Sequence, residues 1–247
     1  LEVHDLSHVY SKGTPFEQKA LDHVNLNVER GEFLAIIGHT GSGKSTVVNL
    51  IPRFYDASAG QVCFFGQDVR KYRRKELRNQ IGIVPQKAVL FAGTVRENMQ
   101  WGKKDATDEE IWEALKTAQA EEFIRAKEGG LDANIEQGGR NLSGGQRQRL
   151  TIARALVKKP RVLILDDSAS ALDYATDAAL RKAIRQMEGA PTVFIVSQRT
   201  SSLMSADRIL VLDDGEATGY GTHEELLKNC QTYREIYNSQ YGKKEEA

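Results

Sequence analysis

The chain has 247 residues, of which 40% are hydrophobic and 28% are charged, a composition typical of a globular domain. Its 34 basic and 34 acidic residues cancel, which argues against a nucleic-acid partner because duplex binders usually carry a basic excess. No apolar run approaches the roughly 18 residues of a membrane span, and the two cysteines have neither CxxC spacing nor a histidine cluster nearby, which favours reduced thiols.

The front of the chain is rich in short β-like runs. They lie at residues 1–3, 24–28, 33–37 and 60–65, and a turn cluster at residues 11–15 separates the first two. This pattern predicts an antiparallel β lobe that leads into the buried strand at 33–37.

A glycine-rich motif follows that strand. Residues 38–46 read GHTGSGKST and satisfy the phosphate-loop pattern G-x-x-x-x-G-K-[ST], between a strand and a helix-forming run at 47–51. Such a loop turns backbone N–H groups toward a polyphosphate at a helix N-terminus. We expect Lys44 to reach the β- and γ-phosphates and the Ser45 hydroxyl to ligate Mg²⁺. The nucleotide-binding residues expected here are Gly38, Thr40, Gly41, Ser42, Gly43, Lys44, Ser45 and Thr46.

From about residue 86 to 158 the pattern becomes helical. Residues 107–110 read TDEE, a capping box, and apolar residues then repeat at helical spacing. A second helix is predicted from Ser143 to about Lys158, where Pro160 closes it.

Strands and helices alternate after residue 160. The predicted strands are 162–165, 193–196 and 209–212, and the predicted helices are 175–187, 200–205 and one from 223 to about 237. Such alternation indicates an α/β fold with a mostly parallel sheet and helices on both faces.

A second motif narrows the choice among the many families that contain a phosphate loop. Residues 142–146 read LSGGQ and open the second predicted helix, between the phosphate loop and Asp166. This order resembles the ATP-binding cassette (ABC) ATPase domain over essentially the whole chain. In such a domain the signature helix is an anion site for ATP held by a partner subunit. The residues implied for it are Ser143, acting in trans, with Gly144, Gly145 and Gln146.

The resemblance also implies the architecture. It predicts one nucleotide-binding domain over 1–247, with a RecA-like P-loop core and β lobe at 1–85 and 159–247. An inserted α-helical signature lobe is then expected at 86–158.

Further roles follow from the same resemblance. Tyr10 would stack on adenine, Asp166 would hold Mg²⁺, and Asp173 would cross to the second subunit. Gln86 would reach both Mg²⁺ and the attacking water. Residues 90–98 look like exporter-type cassettes, in which the helical lobe meets a transmembrane domain. The implied cofactors are ATP and Mg²⁺, and the implied location is the cytoplasmic face of the cell membrane.

Three positions depart from the family pattern. Asp167 stands where the general-base glutamate is expected, Gln198 where the switch histidine is expected, and Gln137 where exporters usually carry glutamate. A carboxylate displaced by about 1 Å can cost on the order of a hundredfold in rate, and glutamine takes no proton. Because the binding motifs are intact, we expect ATP binding with weak hydrolysis, as in the degenerate half of a heterodimeric exporter.

Two other interpretations stay open. Residues 13–17 look more like the ATPase subunits of energy-coupling vitamin importers, and a nucleotide-gated dimerisation module without turnover would need the same binding groups. The partners expected are a second nucleotide-binding domain, identical or not, and a transmembrane domain. We also expect the chain, which begins at Leu1, to be a piece of a longer protein, a separate subunit or a hybrid.

Overall fold

A computed structural model describes residues 1–197 and 203–241. In chain order its strands are β1 (Glu2–Tyr10), β2 (Gln18–Asn27), β3 (Phe33–Gly38), β4 (Ala59–Phe64), β5 (Gln67–Asp68), β6 (Ile81–Val84), β7 (Gly93–Thr94), β8 (Asn134–Ile135), β9 (Val162–Asp166), β10 (Thr192–Val196), β11 (Arg208–Asp213) and β12 (Glu216–Gly221). Its α-helices are α1 (Lys44–Leu50), α2 (Arg74–Asn79), α3 (Val95–Gln100), α4 (Asp108–Thr117), α5 (Glu121–Arg125), α6 (Gly144–Leu156), α7 (Tyr174–Arg185), α8 (His223–Asn229) and α9 (Gln231–Tyr241).

The chain divides into two compact units, of which the first combines Leu1–Arg78 with the described part of Thr192–Ala247. This unit holds the antiparallel sheet β2-β1-β4-β5, as the front of the sequence predicts. It also holds β3, which pairs in parallel with β10 on one side and β11 on the other. All six residues of β3 are buried, because a central parallel strand is covered on both faces.

The second unit spans Asn79–Pro191. It contains the parallel pair β6–β9 and the helices α3 to α7, with a short antiparallel pair β7–β8. The predicted capping box at α4 is present: the Thr107 side chain accepts from the Glu110 N–H, and Glu110 accepts from the Thr107 N–H. The lobe boundaries expected at residues 85 and 159 stay a prediction.

The helical stretch predicted from 223 to about 237 is interrupted once. Two helices, α8 and α9, occupy this region, and Cys230 between them has extended backbone angles (φ −116°, ψ 112°). The Cys230 side chain is buried and packs so closely on β12 that a Cβ on Gly219 would lie 2.8 Å from its sulfur. The helix is therefore interrupted at the residue whose side chain, Cys230, is buried against β12.

The structure differs from the sequence-based expectations in two other segments. The sequence does not predict strand β12, because its residues EATGYG lack an apolar run; most of them are exposed in the structure. Of the helix expected at 200–205, residues 203–205 form a turn and the remainder lies outside the described residues. Within the described ranges, none of the helices combines the length and apolar character of a membrane span.

Candidate functional site

The phosphate loop joins β3 to α1 in the first unit, and two of its glycines have no room for a side chain. A Cβ on Gly38 would lie 2.1 Å from the Leu212 carbonyl oxygen, and one on Gly43 would lie 2.4 Å from the Ala20 carbonyl oxygen. Gly43 also precedes α1 with a left-handed backbone (φ 94°), a conformation that glycine adopts without strain. The motif therefore lets the backbone approach β2 and β11 closely.

Lys44 is buried, and its ammonium group lies inside the loop. It donates to the carbonyl oxygens of Gly38 (2.7 Å) and His39 (2.5 Å), and it lies 3.3 Å from Ser42 Oγ. Three oxygens of the loop thus compensate the buried charge. A phosphate oxygen entering the loop could replace one of these acceptors, which is the chemistry expected of this lysine.

A cavity of about 230 Å³ opens beside the loop. Its lining is Tyr10, Gln18, Ala20, Gly41, Gly43, Lys44, Ser45 and Thr46, so it gathers Tyr10 and five of the eight residues expected of the phosphate loop; Gly38, Thr40 and Ser42 are not among them. This volume is below the roughly 300–1,000 Å³ of typical ligand pockets, so it would cover only part of a nucleotide. A larger cavity of about 780 Å³ in the same unit, which Arg208 and Glu225 help to line, contains none of the motif residues.

Tyr10 connects the β lobe to the phosphate loop. It is the last residue of β1 and pairs with Gln18 across the hairpin. Its hydroxyl lies 3.2 Å from Thr46 Oγ1, and its ring makes edge-to-face contacts with His8 (4.6 Å) and Tyr55 (5.5 Å between centroids). The ring therefore has a defined orientation at the cavity, as a stacking residue would need.

In the second unit, two of the expected catalytic residues lie together. Gln86 follows β6 and Asp167 follows β9, and these parallel strands end side by side. The Gln86 amide donates to Asp167 Oδ2 over 3.1 Å. Asp167 has a left-handed backbone (φ 48°), which aims its carboxylate differently from a residue that continues the strand.

The signature motif forms the N-terminus of α6. Ser143 caps the helix: its Oγ accepts from the Gln146 N–H (3.2 Å), and Gln146 Oε1 accepts from the Ser143 N–H (3.0 Å). Because the cap uses Ser143 Oγ as an acceptor, the hydroxyl proton can still be donated. Ser143 and Gly144 are exposed, so the positive end of the helix is accessible to an anion.

Asp173, expected at a subunit interface, caps α7. Its carboxylate accepts from the Thr176 N–H (2.9 Å) and hydroxyl (2.7 Å), and these hydrogen bonds hold the pKa of Asp173 below its usual value. Tyr174 beside it is 80% exposed. Both side chains are thus exposed to solvent. The role of Asp173 in reaching a second subunit stays a prediction.

The remaining site expectations concern Mg²⁺ and the switch position. In the described ranges there is no group of three or more His, Cys, Asp or Glu side chains that could form a metal cage. Nucleotide-bound Mg²⁺ typically takes one or two protein ligands plus phosphate and water oxygens, which the exposed Ser45 hydroxyl fits. Asp166 ends β9, and Gln198 lies outside the described residues.

Comparison with known proteins decides the family. The family model described as ABC transporter matches residues 21–170 of the chain. The chain belongs to the ABC transporter family. The resemblance predicted from the phosphate loop and LSGGQ is thereby confirmed.

Relatives of this ABC domain share nearly its whole length. The uncharacterized ABC transporter ATP-binding protein YfiB of Bacillus subtilis is 45% identical over 97% of the chain and 41% of the relative. The ATP-dependent lipid A-core flippase of Desulfotalea psychrophila is 44% identical over 97% of the chain and 41% of the relative. A bacterial Atm1-family ABC exporter with ATP bound is 34% identical, with a TM-score of 0.89 over 97% of the chain and 41% of that chain. The chain thus spans about two fifths of each.

This similarity confirms the predicted fold class, an α/β domain with a parallel-rich sheet and an antiparallel β lobe. ATP binding follows for the ABC domain from its family. The individual site residues stay predictions. Sequence reasoning missed His8 and Tyr55, which contact Tyr10; the two-residue spacing of His8 and Tyr10 on one strand could have indicated a shared face.

Proposed function

We propose that the chain is the nucleotide-binding domain of an exporter-type ABC transporter, which binds Mg-ATP and powers a transmembrane domain at the cytoplasmic face of the cell membrane. The names of the flippase and of the Atm1-family exporter support the exporter type. The observation that carries the proposal is that one ABC domain contains both a formed phosphate loop and an exposed, capped signature helix.

Each binding group has a definite task in this proposal. The loop N–H groups and Lys44 hold the β- and γ-phosphates, and Tyr10 stacks on adenine. Ser45, Gln86 and Asp166 would hold Mg²⁺, which would neutralise charge on the β- and γ-phosphates. Aromatic stacking on a base contributes about 1–3 kcal/mol, which a bare polyphosphate would not gain.

We infer that the domain works as a head-to-tail dimer with a second nucleotide-binding domain. The exposed N-terminus of α6 supports this, because Ser143 and Gly144 are accessible there to an anion of a second chain. The small volume of the cavity beside Lys44 agrees, since a partner's signature helix would cover the rest of the nucleotide.

The domain's own site is proposed to hydrolyse slowly. Asp167 is one methylene shorter than glutamate, and its Oδ2 already accepts a hydrogen bond from the Gln86 amide. Loss of a positioned general base costs about 10²–10⁴-fold. Gln198 adds to the effect because an amide takes no proton. The chain would then contribute mainly Ser143, acting on ATP bound by its partner.

Phosphate release tests this proposal. The chain alone should bind Mg-ATP and turn over slowly, and it should stimulate a partner cassette that carries the glutamate and histidine. Ser143→Ala should abolish the stimulation. Thr107→Ala is the matched control, because it removes an equivalent capping hydroxyl at α4 in the same unit. Brisk turnover by the chain alone would contradict the weak site, and equal losses in both variants would contradict the role in trans.

The two alternatives have distinct outcomes. A dimerisation module would bind ATP and associate without phosphate release in any mixture. The importer alternative rests on the sequence of residues 13–17, which lie between β1 and β2. The parent reading frame distinguishes it, since an exporter would encode transmembrane helices before this domain.

A further inference from the structure

His8 is an unusual member of the buried core. It lies on β1 with 5% of its surface exposed, and neither ring nitrogen has a hydrogen-bond partner among the described residues. Buried polar side chains are hydrogen-bonded in the large majority of cases. An apolar residue would avoid this cost, so the position of the ring needs a reason.

The ring contacts of His8 supply that reason. His8 and Tyr10 are two residues apart on β1 and so lie on the same face. Their rings meet edge-to-face, 4.6 Å between centroids at 86°. Tyr55 adds a second edge contact to Tyr10 at 87° and a tilted contact to His8 at 5.8 Å. With the Thr46 hydroxyl at its far end, Tyr10 is held from three directions.

The surroundings of His8 favour a neutral imidazole. Burial lowers its pKa, and the Asp56 backbone opposes this effect although it lies outside hydrogen-bond geometry. On β2 the residue opposite is the apolar Leu21. The other titratable groups nearby are Tyr10 and Tyr55, and the Asp56 carboxylate is bonded to Arg53 at 2.5 Å.

We propose that His8 is a positioning residue, which holds the Tyr10 ring for stacking against the base of the bound nucleotide. The role rests on the proposed function, because it requires ATP to bind at Tyr10. A charged imidazolium needs a hydrogen-bond partner or water, and neither ring nitrogen has a hydrogen-bond partner among the described residues. Protonation would therefore move the ring and release Tyr10, so base recognition should weaken in acid.

Binding of two different ligands distinguishes a positioning role of His8 from a role in folding. Affinities for ATP and for inorganic tripolyphosphate are measured by calorimetry on the whole chain. His8→Ala should weaken ATP binding about two- to tenfold, the size of a lost aromatic contact, and leave tripolyphosphate binding unchanged. His8→Phe should bind both ligands as the unmodified chain does at pH 7.5. His4→Ala, on the same strand but exposed, is the matched control and should change neither.

A pH series supplies a second readout. Between pH 7.5 and 5.5 the unmodified chain should lose more ATP affinity than His8→Phe does, and this comparison cancels the titration of ATP itself. Equal pH profiles, or a loss in His8→Ala that is the same for both ligands, would overturn the positioning role alone. Failure of the unmodified chain to bind ATP at pH 7.5 would overturn the proposed function as well.

Discussion

The two glycines Gly43 and Gly41 allow a direct test of how the phosphate loop is packed. Both have left-handed backbones, with φ 94° and 86°. A Cβ on Gly43 would lie 2.4 Å from the Ala20 carbonyl oxygen and 2.7 Å from a Leu21 methyl carbon, whereas a Cβ on Gly41 would meet nothing within 4 Å. Gly43→Ala and Gly41→Ala therefore share the backbone strain and differ in the collision.

The magnitudes follow from these distances. A left-handed conformation costs a residue with a Cβ roughly 1–2 kcal/mol, and overpacking typically costs about 1–3 kcal/mol. Gly41→Ala should lower the free energy of unfolding by about 1–2 kcal/mol. Gly43→Ala should lower it by about 2–5 kcal/mol, because the clash is with backbone of β2 that cannot rotate away.

Urea unfolding, followed by circular dichroism without nucleotide, measures both changes. The expected result is a larger loss for Gly43→Ala than for Gly41→Ala, with similar denaturant slopes. Equal losses would refute the argument that the loop is pressed against β2. If Gly41→Ala lowered the free energy of unfolding more than Gly43→Ala did, the space beside Gly41 would have to be occupied in the folded chain.

Three further predictions concern the site. Tyr10→Ala should weaken ATP binding by about 1–3 kcal/mol through lost stacking, while Tyr10→Phe, which loses only the hydroxyl near Thr46, should retain most of the affinity; calorimetry measures both. Asp167→Glu should raise phosphate release by the chain alone, on the order of a hundredfold, because the longer side chain brings the carboxylate to the position of the general base. For Asp173, hydrogen bonds lower the folded-state pKa, so its stabilisation is present above the usual pKa and is lost as pH falls through the lowered value. Asp173→Asn keeps a capping side chain and should flatten stability against pH below about pH 4, as acid unfolding measures.

Each of these predictions has an outcome that contradicts it. Equal affinities in Tyr10→Ala and the unmodified chain would remove Tyr10 from the nucleotide site. Unchanged phosphate release in Asp167→Glu would place the limiting step elsewhere. An acid unfolding curve for Asp173→Asn that superimposes on that of the unmodified chain would show that this carboxylate does not set the acid limit of stability.

Several elements were predictable because short-range physics determines them. The phosphate loop, the capping box at α4 and the N-cap at Ser143 each depend on residues within one turn of the chain. β3 was recognisable from its continuous apolar run. The order of the phosphate loop, LSGGQ and Asp166 was sufficient for the family, since each motif has a fixed local geometry.

Other elements depended on distant partners. The helix break at Cys230 arises where a buried thiol packs on Gly219, and β12 exists because β11 offers it a strand edge. Neither cause is visible in the local sequence, where 223–237 has helical periodicity and 216–221 lacks an apolar run.

The sequence by itself therefore determined the family and predicted which groups bind the nucleotide and which catalytic position is altered: Lys44, Ser143 and Asp167 were proposed from residue type and spacing. Only the tertiary structure decided how these groups are held. It places His8 and Tyr55 against Tyr10, buries Lys44 among the oxygens of its own loop, and gives Asp167 the Gln86 amide as a donor. The physical reason is that motif chemistry follows local backbone geometry, whereas side-chain orientation is set by packing between strands that are far apart in the chain.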